Sequence, residues 1–293
     1  MKLWFLTLIA LCVASCTKEV GYRYDFPGDA IAVSARIDPA EGVVAFVTRG
    51  VPPQGSFNIP DLALPNAEVE VVREDGIRLA ADFVEGAEFF LPPDTAIVAG
   101  RRYRLEVSHP DYPPVTSEWV TIPAAIPEAM VSRSDGLDPD SNDELSILSF
   151  TATDPVGSNY YLIEVYPAGY PTSQFQNRFD AAFSAEFCEF YNYHPATGVF
   201  FPDLCFEGGK WELTMAVTDK EFLFQSSPIA YSDFVFVIRH LDGTYWSHLQ
   251  DRLNLNDIRG TILEASAPST SNVMGRYGVF LALNSFVRVL PVR

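Results

Sequence analysis

Residues 67–83, AEVEVVREDGIRLAADF, decide the fold class. Val69 and Val71 alternate with Glu68 and Glu70, the period of two that sets one side of a strand on a core and the other in water. Glu74-Asp75-Gly76 then breaks the run. Asp-Gly is a strong hairpin signal, because glycine accepts the positive φ of a tight turn. Ile77 to Phe83 reads as the return strand.

The same pattern continues on both sides. Ile31 to Ile37 alternates, Gly42 to Val47 follows a Pro/Gly turn, and Val51 to Pro60 is a Pro/Gly loop. Downstream, Ala99-Gly100-Arg101-Arg102 turns into a strand over Tyr103 to Ser108, and Val115 to Ile122 closes the set. About seven short strands separated by turn signals predict an Ig-like antiparallel β-sandwich over residues 28–122. Residues 123–144 open with Pro and Ala, turn polar and acidic, and read as a linker. Residues 145–293 read as a second β-rich domain, so the chain is all-β with one short helix. Leu145 to Ala152 and Tyr160 to Tyr166 are expected to pair across the turn Asp154-Pro155-Val156-Gly157. Trp211 to Val217, Phe234 to Arg239 and Tyr277 to Val289 supply further strands. Trp246, Leu249 and Leu253 share one face of a helix expected over Thr244 to Leu255. Asp242-Gly243 before it suits a helix cap or a hairpin turn.

The first sixteen residues, MKLWFLTLIALCVASC, have a different character. Lys2 precedes an apolar run from Leu3 to Val13 that is too short for a membrane-spanning helix and reads as a secretory signal over residues 1–15. Val13-Ala14-Ser15-Cys16 resembles the lipobox of bacterial lipoproteins, in which the signal is cut before the cysteine and Cys16 is acylated. Several acyl chains on one residue anchor stably, since each buried CH₂ contributes about 0.8 kcal/mol. Residues 16–27 then form a tether. The expected location is a membrane surface, held by lipid.

Composition narrows the function. A formal charge of −18 disfavours nucleic acid, whose phosphates it would repel. Hydrophobic residues at 48% are ample for packed cores. There is no G-x-S-x-G elbow, no H-E-x-x-H pair and no phosphate-binding glycine loop followed by Lys, so no enzyme class and no cofactor is indicated. A hydrolase with a spatially assembled site would draw on His194 or His240. Cys188 and Cys205 remain as a pair once Cys12 leaves with the signal and Cys16 takes lipid. Outside the cytoplasm they read as a disulfide worth about 3 kcal/mol, and a Cys/His site with His194 is the alternative. Asp138, Asp140 and Asn142 have the spacing that opens a Ca²⁺ loop, but Asp143 and Ser149 stand where that loop needs Gly and Glu, so a solvated acidic linker is the plainer reading and no metal is expected. Around the two cysteines, Phe187, Phe190, Tyr191, Tyr193, Phe200 and Phe201 either pack a sandwich edge or form a ligand face.

Taken with their order and spacing, several segments resemble the lipoproteins of Bacteroidota grouped as domain of unknown function 4249. They are the lipobox at Cys16, the strands Ile31 to Val47, Asn66 to Val71 with Asp75-Gly76, Ala99 to Leu105, Asn159 to Val165, and the C-terminal Ala267 to Phe280. The resemblance implies an outer-membrane lipoprotein with a membrane on its lipid side and a TonB-dependent transporter as partner, acting as a non-enzymatic accessory or binding component. A surface adhesin or structural lipoprotein is the alternative. Within the C-terminal signature, Asn272, Gly275 and Gly278 read as turn and close-approach residues before a strand.

Overall fold

Alternating valines need a facing layer, and the chain supplies one by curling a single sheet on itself. A computed structural model describes residues 30–51, 58–137, 144–167, 180–183, 192–194, 198–203, 208–218, 233–258, 271–274 and 277–291. The first strands are β1 (Ile31–Asp38), β2 (Gly42–Arg49), β3 (Glu68–Arg73), β4 (Arg78–Phe83), β5 (Glu88–Leu91), β6 (Arg102–His109), β7 (Tyr112–Thr116) and β8 (Val120–Thr121). They are followed by β9 (Met130–Leu137), β10 (Glu144–Thr153), β11 (Tyr160–Pro167), β12 (Asp180–Phe183), β13 (Asn192–His194), β14 (Gly198–Pro202), β15 (Lys210–Thr218), β16 (Asp233–Leu241) and β17 (Tyr277–Pro291). One helix, α1 (Gly243–Ile258), lies between the last two.

Thirteen strands form one sheet in the order β13-β14-β11-β16-β17-β1-β2-β5-β4-β3-β6-β7, with β8 on β6. The other four form a separate sheet, β12-β15-β10-β9. The large sheet turns a corner where β4 meets β5 at Asp82↔Phe90 and Phe83↔Phe89. Beyond that corner, Val69 and Val71 of β3 and Tyr103, Leu105 and Val107 of β6 pack against Val33, Ala35 and Ile37 of β1. That is the sandwich expected from the alternation, and all of these side chains are buried. The Asp75-Gly76 hairpin is also present, with Gly76 at φ 90. The stretch expected as one strand over Val115 to Ile122 is instead two, β7 and β8, both pairing with β6.

Tyr103 fixes the entry to β6. Its ring is fully buried, its hydroxyl donates to the Ala96 carbonyl at 2.8 Å, and it accepts the Val98 N–H at 2.7 Å. This is the tyrosine-corner arrangement of Ig-like sandwiches. Tyr103→Phe strands both backbone groups and is expected to lower stability by about 1–3 kcal/mol in a urea titration. A loss indistinguishable from zero would show that the corner is not held this way.

A second sandwich shares the same large sheet. Leu148, Phe150, Trp211 and Leu213 of the four-stranded sheet pack on Tyr161, Ile163, Phe201, Phe236 and Ile238. On the opposite face, Trp246 and Leu249 of α1 pack on Leu162, Phe200, Leu241 and Leu283. Strands covered on both sides read as continuous apolar runs, which is how Tyr160 to Val165 and Phe280 to Leu283 are written. Asp242 caps α1, its carboxylate accepting the Tyr245 N–H at 2.8 Å, so the cap and not the hairpin is realised. Burial pushes the Asp242 carboxyl up to about 6 against these hydrogen bonds.

Three expectations need correction. Strands β10 and β11 do not pair across Asp154–Gly157: β10 lies between β9 and β15, whereas β11 lies between β14 and β16, so the chain crosses from one sheet to the other at that turn. The segment read as a linker carries β9. Its first residues are docked, Pro123 accepting from Asn284 at 3.0 Å and Ala124 from His240 at 2.8 Å. The large sheet is not wholly antiparallel. Strand β17 runs parallel to β1 from Tyr277 to Ala282, then antiparallel to β16 from Leu283 to Pro291. A strand from the end of the chain thus completes the N-terminal sandwich.

Candidate functional site

Phe200 and Phe201 are adjacent on β14 and therefore point to opposite faces. Both are fully buried, Phe200 under α1 and Phe201 under the four-stranded sheet. They are core residues and not part of a ligand face, because β14 sits where the sheet is covered on both sides. Tyr193 lies on β13 opposite Val199, and His194 lies opposite Gly198. Cys16, Cys188, Cys205, Phe187, Phe190 and Tyr191 lie outside the described residues, as do Asp138, Asp140, Asn142 and Gly275.

His240 is buried with its ring stacked 5.5 Å from Tyr161. Its Nδ1 donates to Ala124, and desolvation holds its pKa below the ordinary value, so it sits neutral in the core. Beside it, the Tyr161 hydroxyl donates to Asp154. Burial and then the Asp154 carboxylate push the Tyr161 pKa far up. Asp154 also accepts the Gly208 N–H at 2.9 Å, and Asp203 accepts the Asn159 N–H at 2.8 Å. The Asn159 amide spans the two carboxylates, at 3.3 Å from Asp154 and 3.2 Å from Asp203. These bonds tie the strands and the loop ends beside them together, which is how buried polar groups are normally satisfied. Among the described residues no cluster of three or more metal-ligating side chains is assembled.

An open cleft of about 590 Å³ lies at the end of the four-stranded sheet. Glu128 and Met130 wall it on one side, Thr151 and Thr153 of β10 lie in the middle, and Lys210, Trp211 and Glu212 of β15 close the other. The register explains the grouping, since Thr151 pairs with both Met130 and Glu212 and Thr153 with Lys210. Glu128 has φ 51, and no other non-glycine residue among the described ones has a positive φ. Its carboxylate accepts from Lys210 at 2.7 Å and from Thr153 at 3.1 Å, and the Lys210 bond chiefly holds its pKa below the usual range. Ser149 donates to Glu212 at 2.6 Å. Trp211 borders the cleft from β15 but turns its ring to the other face of the sheet, where it is buried edge-on to Phe201 with ring centres 5.4 Å apart.

A carboxylate already paired with an ammonium and a hydroxyl is a weak base, so Thr153 is not activated as a nucleophile. What the cleft offers is an ordered set of donors and acceptors, suited to holding a polar molecule. Sequence reasoning missed it because its three walls are separate in the chain. No local pattern marks Lys210-Trp211-Glu212, and Glu128 lies in what reads as linker.

Fold and cleft define an all-β protein of two sandwiches built on one shared sheet, with a polar recess at the end of the smaller one. A family model described as a domain of unknown function, DUF4249, matches residues 18–287, and the chain belongs to that family. Among curated proteins none matches it.

Proposed function

We propose that this protein is a lipid-anchored lipoprotein of the outer membrane that serves as a non-enzymatic accessory or binding component of a TonB-dependent uptake system. Anchoring rests on the apolar run ending at Val13-Ala14-Ser15-Cys16 and on its resemblance to a lipobox. The observation that carries the binding role is the cleft, whose Glu128, Lys210 and Thr153 are pre-ordered by one another, whose Glu212 is held by Ser149, and which leaves a polar rim for a ligand. In this reading the second sandwich presents the contact surface, and the first spaces it from the membrane.

The test is a mild-detergent pull-down of the lipidated protein from its own membrane, with mass spectrometry of what accompanies it. A TonB-dependent barrel in near-stoichiometric yield is the expected result. A solitary lipoprotein would overturn the accessory role in favour of the adhesin or structural reading. In the same preparation, Cys16→Ala should move the protein from the membrane to the soluble fraction, and a variant that stays with the membrane would sink the anchoring claim.

A further inference from the structure

Sheets end in strands with unpaired backbone, and proteins usually blunt such edges. Here the large sheet ends in β13, only three residues long, and in β7, which carries Pro113 and Pro114. The small sheet ends in β12, four residues long, and in β9, which has eight residues and no proline. Among the described residues β9 pairs with β10 alone. Met130 and Leu137, at its two ends, are 64% and 65% exposed. This edge is long, free of proline and flanked by apolar side chains.

We propose that β9 is a self-association edge, and that two copies of the chain pair β9 to β9 antiparallel about a two-fold axis through Ser134. The occupant follows from charge. A two-fold axis perpendicular to the sheet keeps each face continuous, so a residue must oppose one of the same parity. Arg133 and Asp135 share the face on which Val131 packs. Centred on Ser134, the pairing sets Arg133 of each copy opposite Asp135 of the other, and Val131 opposite Leu137. Centred on Arg133 it would oppose two guanidiniums, and centred on Asp135 two carboxylates. An inward-facing charge normally guards an edge against association. Two opposite charges at this spacing instead make the edge complementary to itself in one central register. The two small sheets would then join into one continuous sheet across the pair, and Leu137 would be covered.

The test uses Ser134→Cys in the full chain in its membrane. Directly opposed residues of an antiparallel pair bring their Cβ atoms to about 4.5–5.5 Å, and a small shift then allows a disulfide. Under mild oxidation this variant should give a dimer on a non-reducing gel, well above the background of the unsubstituted chain. Ser132→Cys should not, because the two copies of residue 132 would lie roughly 13 Å apart along the strands. Adding Arg133→Asp to Ser134→Cys should lower the cross-linked yield about tenfold by opposing four carboxylates, and adding Asp135→Arg as well should restore it. Equal cross-linking at 132 and 134, none at 134, or indifference to charge reversal would each overturn the proposal.

Discussion

Gly278→Ala is expected to lower the stability of the chain by about 3–5 kcal/mol, combining strain at an unusual φ with a forced backbone separation. Gly278 has φ 150 and pairs in parallel with Val33 of β1. A Cβ placed there would lie 2.2 Å from the Val33 carbonyl oxygen and 3.0 Å from its carbonyl carbon and nitrogen. These are backbone atoms of a buried strand, so no side chain can rotate away. The neighbourhood is also pinned. Ser271 donates to the Gly278 carbonyl at 2.8 Å, and the Asn272 amide exchanges two hydrogen bonds with the Phe280 backbone, at 2.7 and 2.8 Å. The strand that joins the two sandwiches would therefore have to leave β1. Gly76 is the control: its φ is 90, but nothing lies within 4 Å of an added Cβ. Gly76→Ala should lose only about 1–2 kcal/mol of backbone preference. Urea titrations of the two variants check the contrast, and equal losses would mean that the close approach to Val33 is not what requires glycine.

How much of this was legible depends on what covers each strand. In the first sandwich one face is buried and the other wet, so β1, β2, β3 and β6 show their period directly. Asn272 and Gly278 were legible too, because each performs a local task that few residue types perform. In the second sandwich the sheet is covered on both faces, and the runs in β11, β16 and β17 mark strands without saying which neighbours they take. Nothing local in Tyr277 to Pro291 announces a change of partner midway, since that depends on where β1 ends. Strand β9 escaped notice because an edge strand rich in Ser132, Ser134 and Asp135 has the composition of a linker. Phe200 and Phe201 misled for a related reason: adjacent aromatics look available until layers on both sides are known. The cleft was illegible because its walls meet only through the register of β9, β10 and β15.

Arg239→Met is the second large loss expected, about 3–5 kcal/mol at neutral pH, because it leaves buried carboxylates without their cation. Arg239 is 2% exposed on β16, at the level where β17 has just left β1. Its guanidinium bonds Glu164 of β11 through Nε, reaches Glu41 at 2.9 Å and Ser285 at 2.8 Å, and lies 3.5 Å from Asp38 at the end of β1. One planar fork thus ties four strands or turns from both sandwiches, while Ser285 in turn donates to Asp38. Burial opposes the charge on Arg239, but Glu164 and then Glu41 outweigh it and hold its pKa well above the usual value. Burial likewise pushes Glu41 up, yet Arg239 brings it below its ordinary range. For Asp38 burial wins over Ser285, Ala40 and Arg239, and its pKa is raised. Arg239→Lys keeps the charge without the fork and should fall between the two. The sign of the pH dependence separates this account from a simple packing loss. In the native chain the contribution of Glu41 is present above its unfolded pKa, roughly 4.3, and is lost as pH falls through its lower folded value. In Arg239→Met the carboxyls of Asp38 and Glu41 lose the cation that opposes their desolvation and rise, so the folded state takes up protons first, and the variant gains stability as pH falls from 7.5 toward 5. The deficit measured by urea titration should therefore shrink at pH 5. An equal deficit at both pH values would mean that Arg239 acts through the volume it fills and not through its charge.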